Sequence, residues 1–195
     1  MTITRWWWVR HGPTHETALT GWRDVPADLS DQAAIARLAD FLPAPAILVS
    51  SDLLRARQTA GVLATGRTRL SDAPDLREMN FGAWDGLTFA AIDAQDSAHA
   101  RAFWEKPGDI APPGGESWNG LAARVDRAVK DLTRAHAGAD IIAVAHMGVI
   151  LTQIAAARKQ RPAEALAQRI APLSVSCIEI HPSGTARADP VNHAP

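Results

Sequence analysis

The feature that most constrains this 195-residue chain is an apolar run, Ile3 to Val9, that ends abruptly at Arg10-His11-Gly12-Pro13. Three consecutive tryptophans and a valine favour a packed β-strand, because aromatic and β-branched residues suit a pleated, buried surface. Glycine followed by proline cannot continue the interior of a strand and marks a turn. The sequence therefore predicts a buried first strand that presents a guanidinium and an imidazole at its C-terminal tip.

Further apolar strands alternate with helical segments along the chain. Strands are predicted near 46–49, 68–70, 141–145 and 175–180, and helices near 33–42, 53–64, 88–104, 118–137 and from 147 onward. This alternation predicts βαβ units, and therefore an α/β fold: a three-layer α/β/α sandwich with a mainly parallel central sheet. We expect the last strand near an edge of the sheet and the tail from Pro182 in solvent.

Local signals set the ends of the helices. Ser30 or Asp31 is expected to cap the first helix, and the run Ser50 to Asp52 offers caps for the second. Ser117 is expected to cap a long amphipathic helix that carries Arg124 on its polar face. Residues 72–115 are rich in proline and glycine, and we interpret them as an insertion over the rim of the site within a single domain, residues 1–195.

Composition narrows the class of protein. A formal net charge of −1 disfavours a nucleic-acid binder that works through overall basicity. The single cysteine, Cys177, rules out an intrachain disulfide and fits a reducing compartment. No stretch has the apolar length that spans a bilayer. We expect a cytoplasmic protein with no nucleic-acid or membrane partner, whose oligomeric state the sequence leaves open.

The predicted strands place cationic side chains along one edge of the sheet. The C-terminal ends of parallel strands share one rim, where open α/β proteins bind ligands. Arg10 and His11 lie at this rim, as do Arg55, in the first turn of a helix, and His146, just before the next helix. Helix N-termini carry unpaired N–H groups that attract anions, and arginines bind phosphate bidentately. The sequence predicts an electropositive pocket in which His11 attacks a phosphate that Arg10 holds.

Several of these segments resemble the histidine phosphatase superfamily, which contains the cofactor-dependent phosphoglycerate mutases. The matching segments occur in the family's order over about residues 5–150: Val9 to Gly12, Ser51 to Ala60, Leu76 to Gly86, Pro113 to Ser117 and Val144 to Gly148. The short length and the Gly-Gly-Glu-Ser stretch also look similar to small phosphatases of that superfamily such as α-ribazole phosphatase. The resemblance implies a phosphoglycerate mutase-like fold and phosphoryl transfer through a phosphohistidine.

The resemblance also implies a role for individual residues. His11 is the implied nucleophile and Glu78 the implied proton donor, and the implied phosphate ligands are Arg10, Arg55 and His146.

Two positions depart from the family pattern. Relatives usually carry glutamate and then asparagine where this chain has Pro13 and Thr17. The hydroxyl of Thr17 is therefore the candidate phosphate contact at that place. His15, Trp22 and Arg23, in the same loop, are candidates for lining the substrate.

The chemistry sets finer expectations for the ring nitrogens. One nitrogen of His11 attacks, and the other must be held by an acceptor, which we expect to be a carbonyl in the Gly12 turn. His146 is expected to act as an imidazolium among the phosphate oxygens. Glu78 is expected to have a raised pKa because it faces a phosphate.

These observations favour an enzyme that needs neither a metal nor a cofactor. Phosphoryl transfer depends on positioning and charge neutralisation, which the arginines supply. The chain lacks the longer insertion typical of the mutases, and this favours a metal-independent phosphatase of a small phosphomonoester. Phosphoglycerate mutase-type transfer and a non-catalytic phospholigand-binding module are the alternatives.

Overall fold

The N-terminal apolar run forms β1, Thr4–Arg10, whose side chains alternate between the two faces of the sheet. The rings of Trp6 and Trp8 stack on one face with their centroids 5.1 Å apart, and Val9 packs into the core on the other face. A strand that is buried on both faces belongs in the middle of a covered sheet. The computed structural model describes residues 2–195.

The sheet has six strands in the order β3-β2-β4-β1-β5-β6. Four strands are parallel, with β1 beside β4 (Asp140–Ala145), β4 beside β2 (Ile47–Ser50) and β2 beside β3 (Thr68–Arg69). On the other side of β1, β5 (Val175–Ile180) and β6 (Ala186–Ala188) add antiparallel pairs. The prediction of a mainly parallel sheet with β1 near its centre is confirmed.

Helices cover both faces of this sheet. Their bounds are α1 Gln32–Phe41, α2 Leu54–Val62, α3 Phe89–Glu105, α4 Trp118–Ala135, α5 Met147–Arg158 and α6 Pro162–Leu166, with short 3₁₀ turns at Pro74–Leu76 and Gly82–Trp84. Leu38 of α1 and Ala60 of α2 pack in one core cluster, whereas Leu121 of α4 and Ile150 of α5 pack in the other. The predicted three-layer arrangement is confirmed. Among residues 2–195, no helix combines the length and apolarity needed to cross a membrane.

Two helices begin at the capping residues that the sequence predicts, and a third helix does not. The side chains of Asp31 and Ser117 cap α1 and α4, as predicted. At α2 no side chain of the preceding residues caps the helix. Instead, the N–H of Leu54 donates to a carboxylate oxygen of Asp24, 2.6 Å away in the loop after β1. This contact joins that loop to the start of α2, at the rim of the sheet.

The C-terminal part of the chain confirms one prediction and corrects two. β5 lies near an edge of the sheet, as predicted, but it is not the last strand, because β6 pairs outside it. The tail from Pro182 is not wholly in solvent, since Ala188 is buried and the backbones of Val175 and His193 exchange hydrogen bonds of 2.7 and 2.9 Å. A three-residue strand is too short to show an alternating pattern, so its pairing depends on the edge that β5 offers.

Candidate active site

A cavity of about 350 Å³ opens at the rim that the parallel strands share. Its wall combines six parts of the chain: the end of β1 with the loop that follows, the first turn of α2, residues of the 72–115 segment, Trp118 at the start of α4, the start of α5, and Leu166 at the end of α6. The predicted position of the site at the C-terminal ends of the strands therefore coincides with this cavity.

His11 directly follows β1 and is buried, with 6% of its surface exposed. Its Nδ1 lies 2.7 Å from the carbonyl oxygen of Gly12, so Nδ1 carries the proton and donates it to that carbonyl. The N–H of Gly12 in turn donates to the hydroxyl of Thr59 on α2, at 3.0 Å. The expected contact with the Gly12 carbonyl is confirmed, and it leaves Nε2 as the unprotonated ring nitrogen.

Arg55, in the first turn of α2, is 1% exposed. Its Nε lies 3.2 Å from Nε2 of His11. Its terminal nitrogens donate to the backbone carbonyls of Gly21, at 2.7 Å, and Arg23, at 3.1 Å. These loop carbonyls offset the cost of burying a cation at a helix N-terminus, where the backbone N–H groups repel it.

The cationic neighbours keep His11 neutral. Burial, together with the charges of Arg55 and Arg10, lowers the pKa of His11 from 6.5 to about 3. The imidazole is therefore unprotonated at neutral pH, which is the form that acts as a nucleophile.

Arg10 is the last residue of β1 and lines the cavity. One terminal nitrogen donates to the carbonyl of Ile170 at 2.5 Å. Its Nε is buried and has no hydrogen-bond partner within residues 2–195. The guanidinium is thus anchored at one end and retains an unused donor beside His11.

His146 lies between β4 and α5 and is completely buried. Its ring centroid is 5.1 Å from that of His11, and its Nε2 is 2.9 Å from the hydroxyl of Ser51. Its Nδ1 has no partner among the described residues. Burial, then the proximity of His11 and Arg55, holds the pKa of His146 well below its usual value. The ring of His146 is therefore neutral in this structure, and the imidazolium expected among phosphate oxygens stays a prediction.

Glu78 is also buried, with 8% of its surface exposed, and lines the cavity. Its Oε1 accepts from the N–H of Met79 at 2.8 Å, and both carboxylate oxygens lie 3.2 Å from the N–H of Gly148 in α5. Burial raises the pKa of Glu78 against the opposing effect of these hydrogen bonds. The direction agrees with the expectation, but its cause here is burial rather than a facing phosphate.

Arg124 supports the segment that carries Glu78. One of its terminal nitrogens donates to the carbonyls of Asp75, at 2.8 Å, and Arg77, at 3.0 Å. The other donates to Glu116 at 2.5 Å. Sequence reasoning placed Arg124 on the polar face of its helix and missed this role, because the carbonyls that it binds lie more than forty residues earlier in the chain.

The loop candidates divide into two groups. Thr17 lines the cavity, whereas His15, Trp22 and Arg23 do not. The exposed ring of His15 lies 2.8 Å from the carboxylate of Asp28 instead.

Trp22 and Arg23 contact the residues that form the site. The indole N–H of Trp22 donates to the carbonyl of Glu78 at 2.8 Å. Arg23 forms an ion pair with Glu16, and its carbonyl accepts from Arg55. Trp22 and Arg23 therefore contact residues that line the cavity without lining it themselves.

Sequence reasoning also missed the apolar part of the wall. This part includes Phe81, Phe89, Phe103, Trp104 and Met147. The pair Phe103-Trp104 close to Pro107 is the one sequence signal for this apolar wall. It does not show which side of α3 lines the cavity. Within residues 2–195, no group of three or more His, Cys, Asp or Glu side chains is placed to hold a metal ion.

Comparison with known proteins finds phosphatases that are similar to this chain. A glucosyl-3-phosphoglycerate phosphatase from Mycobacterium tuberculosis is 42% identical over 125 residues, which are 59% of this chain and 55% of that protein. The chain thus spans about half the length of this curated relative. A metal-independent phosphoserine phosphatase from Arabidopsis thaliana is 31% identical over 153 residues, covering 73% of this chain and 63% of the relative.

Solved structures extend the similarity to the whole fold. A mycobacterial glucosyl-3-phosphoglycerate phosphatase superposes with a TM-score of 0.85 at 30% identity, covering 97% of this chain and 99% of that chain. The family described as the histidine phosphatase superfamily, branch 1, matches residues 6–191. This chain is a member of branch 1 of the histidine phosphatase superfamily.

Proposed function

We propose that this protein is a phosphatase that hydrolyses a small phosphomonoester through a phosphohistidine on His11, without a metal ion. The observation that carries the proposal is the neutral, buried imidazole of His11, whose Nε2 lies 3.2 Å from Nε of Arg55. Arg10 lines the same cavity, so two guanidinium groups flank the position that a phosphate must occupy for attack. Positively charged donors at such a position stabilise the transferring phosphoryl group.

The first step transfers the phosphoryl group to the enzyme. Nε2 of His11 attacks phosphorus and forms a P–N bond while the ester P–O bond breaks. Arg10 and Arg55 bind the phosphate oxygens, and the unused Nδ1 of His146 and the hydroxyl of Thr17 are further donors. Protonated Glu78 gives its proton to the departing alkoxide.

The second step hydrolyses the phosphohistidine. Glu78, now a carboxylate, takes a proton from a water molecule whose oxygen attacks phosphorus. The P–N bond breaks, inorganic phosphate forms, and His11 returns to its neutral state. Residues 72–115 supply Glu78 and much of the cavity wall, which supports their assignment as an insertion over the site in a single domain.

The substrate class rests on the relatives and on the size of the cavity. Both named relatives are phosphatases of small phosphorylated molecules, glucosyl-3-phosphoglycerate and phosphoserine. A cavity of about 350 Å³ suits a ligand of this scale. The single cysteine, Cys177, leaves the chain without an intrachain disulfide, which supports the proposed cytoplasmic location.

The test measures phosphate release from p-nitrophenyl phosphate in excess EDTA for the native protein, His11→Ala and the matched control His15→Ala. We expect activity in the native protein and in His15→Ala and none in His11→Ala. Protein quenched in alkali during turnover of ³²P-labelled substrate should carry label that is stable to base and lost in acid, as a phosphoramidate is.

Three results contradict the proposal. Loss of native activity in EDTA indicates a metal site, and activity that survives in His11→Ala indicates another nucleophile. Transfer of phosphate between hydroxyl groups without release indicates a mutase.

A further inference from the structure

The part of the cavity beyond the phosphate-binding residues is lined by aromatic rings. Phe89, Phe103 and Trp104 of α3 contact one another, with ring centroids 5.4 Å apart for Phe89 and Trp104 and 4.6 Å apart for Phe103 and Trp104. Phe81 approaches the same indole at 6.4 Å, and Met147 lines the cavity from the start of α5. We call these four aromatic residues together with Met147 the aromatic wall.

Two members of the aromatic wall are unusually exposed. Phe89 is 59% exposed and Met147 is 39% exposed, and each extends a large apolar side chain into the cavity. Leaving such a side chain in water forgoes the favourable free energy of burying its apolar surface. Exposed apolar groups that converge on one concavity mark a place where an apolar partner binds.

The distribution of charge in the cavity also favours an uncharged, apolar group against the aromatic wall. Among the described residues that line it, the only basic side chains are Arg10, His11 and Arg55, and the proposed function assigns all three to the phosphate. The acidic side chains are Glu78 and Glu16, the second of which is paired with Arg23 outside the cavity. A second carboxylate or phosphate on the substrate would therefore have no cation to pair with against the aromatic wall.

We infer that the substrate is a phosphomonoester of an uncharged alcohol that carries a flat apolar ring, seated on the aromatic wall. This inference rests on the proposed phosphatase activity and narrows its substrate class. The ring packs between Phe89 and Met147 at the open end of the cavity, while the phosphate lies at His11. Thr14 lines the cavity on the side of the loop after β1, and its hydroxyl suits an uncharged polar group of the alcohol.

The test compares kcat/KM for three alkyl phosphomonoesters, all of which release a poor leaving group. They are 2-phenylethyl phosphate, glycerol 1-phosphate and phosphoserine, which carry a ring, uncharged hydroxyls and a charged amino acid respectively. We expect 2-phenylethyl phosphate to exceed glycerol 1-phosphate by about tenfold or more, since aromatic burial of this kind contributes at least that factor. Phosphoserine should be the poorest of the three.

Matched variants locate the preference. Phe89→Ala should lower the ratio of kcat/KM for 2-phenylethyl phosphate over glycerol 1-phosphate about tenfold, mainly through KM. Phe41→Ala removes an equally large, 38% exposed ring outside the cavity and should leave the ratio unchanged. Phe89→Arg supplies the missing cation and should raise the relative activity on phosphoserine. Because Phe89 is the exposed first residue of α3, the two Phe89 variants should keep the native melting temperature within a few degrees.

The outcomes separate this inference from the proposed function. Hydrolysis of all three esters with phosphoserine or glycerol 1-phosphate preferred overturns the aromatic assignment and leaves the phosphatase in place. An unchanged ratio in Phe89→Ala also overturns it. No phosphate release from these esters or from p-nitrophenyl phosphate overturns the proposed function, and the inference with it.

Discussion

Nε of Arg55 lies 3.2 Å from Nε2 of His11, and the contact requires that nitrogen to be unprotonated. An N–H can donate to the lone pair of a neutral imidazole but is repelled by an imidazolium, which has no acceptor. The same contact holds the imidazole in the tautomer whose Nδ1 donates to Gly12. Arg55 therefore keeps Nε2 of His11 unprotonated, and a phosphate oxygen that accepted the same N–H would free the Nε2 lone pair for the proposed attack.

This relationship predicts how stability depends on pH. The pKa of His11 is about 3 in the folded protein and about 6.5 when unfolded, so between these values the unfolded chain binds more protons. The contribution of His11 is therefore fully present above pH 6.5 and is lost as the pH falls towards 3. Between pH 7 and pH 5 we expect it to account for about 2 kcal/mol of the decline in the free energy of unfolding.

Urea unfolding at the two pH values measures this effect. His11→Gln, which cannot be protonated, should show a decline smaller by about that amount, whereas the exposed control His15→Gln should behave like the native protein. An equal decline in His11→Gln and the native protein contradicts the assignment of a depressed pKa to His11.

Glu78→Gln tests the proton donor. An amide cannot protonate the departing alkoxide, and general acid catalysis contributes about 10²- to 10⁴-fold for a poor leaving group. We expect kcat for an alkyl ester to fall within that range, and kcat for p-nitrophenyl phosphate to fall far less because p-nitrophenolate barely needs a proton. Equal losses on both substrates exclude Glu78 as the proton donor.

Gly148→Ala tests the support of Glu78 by α5. A Cβ at this position overlaps the Glu78 carboxylate, so the side chain must move away from the leaving group. We expect turnover of an alkyl ester to fall about tenfold or more, with a loss of about 1–3 kcal/mol in the free energy of unfolding. Gly61→Ala is the matched control, because its Cβ has no other atom within 4 Å. The control should retain full activity and gain about 0.5–1 kcal/mol of stability.

Arg124→Ala tests whether the 75–78 segment needs an anchor. The change leaves two backbone carbonyls and the half-buried Glu116 without their donor, which costs about 1–2 kcal/mol of stability. If Arg124 positions Glu78, kcat should fall for alkyl esters and much less for p-nitrophenyl phosphate, with little change in KM. Arg127→Ala, on the exposed side of the same helix, should change neither. Equal loss on both substrates assigns Arg124 a merely structural role.

The positions of the main site residues could be predicted because short-range chemistry sets them. His11 lies one residue beyond a strand that its own tryptophans define, and its Nδ1 contacts the carbonyl of the next residue. Arg55 follows from the helix start after β2, and His146 from the strand that ends at Ala145. In each case the strand, the turn and the side chain lie within a few residues of one another.

The contacts that reach across the fold could not be predicted in the same way. Asp24 caps α2 from thirty residues away, and Arg124 anchors the carbonyls before Glu78. The aromatic residues of α3 give no clear period, so their direction depends on which face of the helix the rest of the protein covers. A pattern of residue types shows which side chains a helix can bury, but it does not show which parts of the protein those side chains contact.

The charge state of the site depends on the same long-range packing. The sequence alone suggests an imidazolium at His146 when it lies among phosphate oxygens, but it does not show that burial, then the proximity of His11 and Arg55, lowers the pKa of this ring and leaves it neutral in the structure. Desolvation and nearby charge both act over distances that join segments far apart in the chain, and they outweigh the intrinsic pKa of an imidazole. Local sequence patterns thus determine the order of the strands, the helices and the reactive residues. The tertiary structure determines which of those residues are charged and which groups they contact.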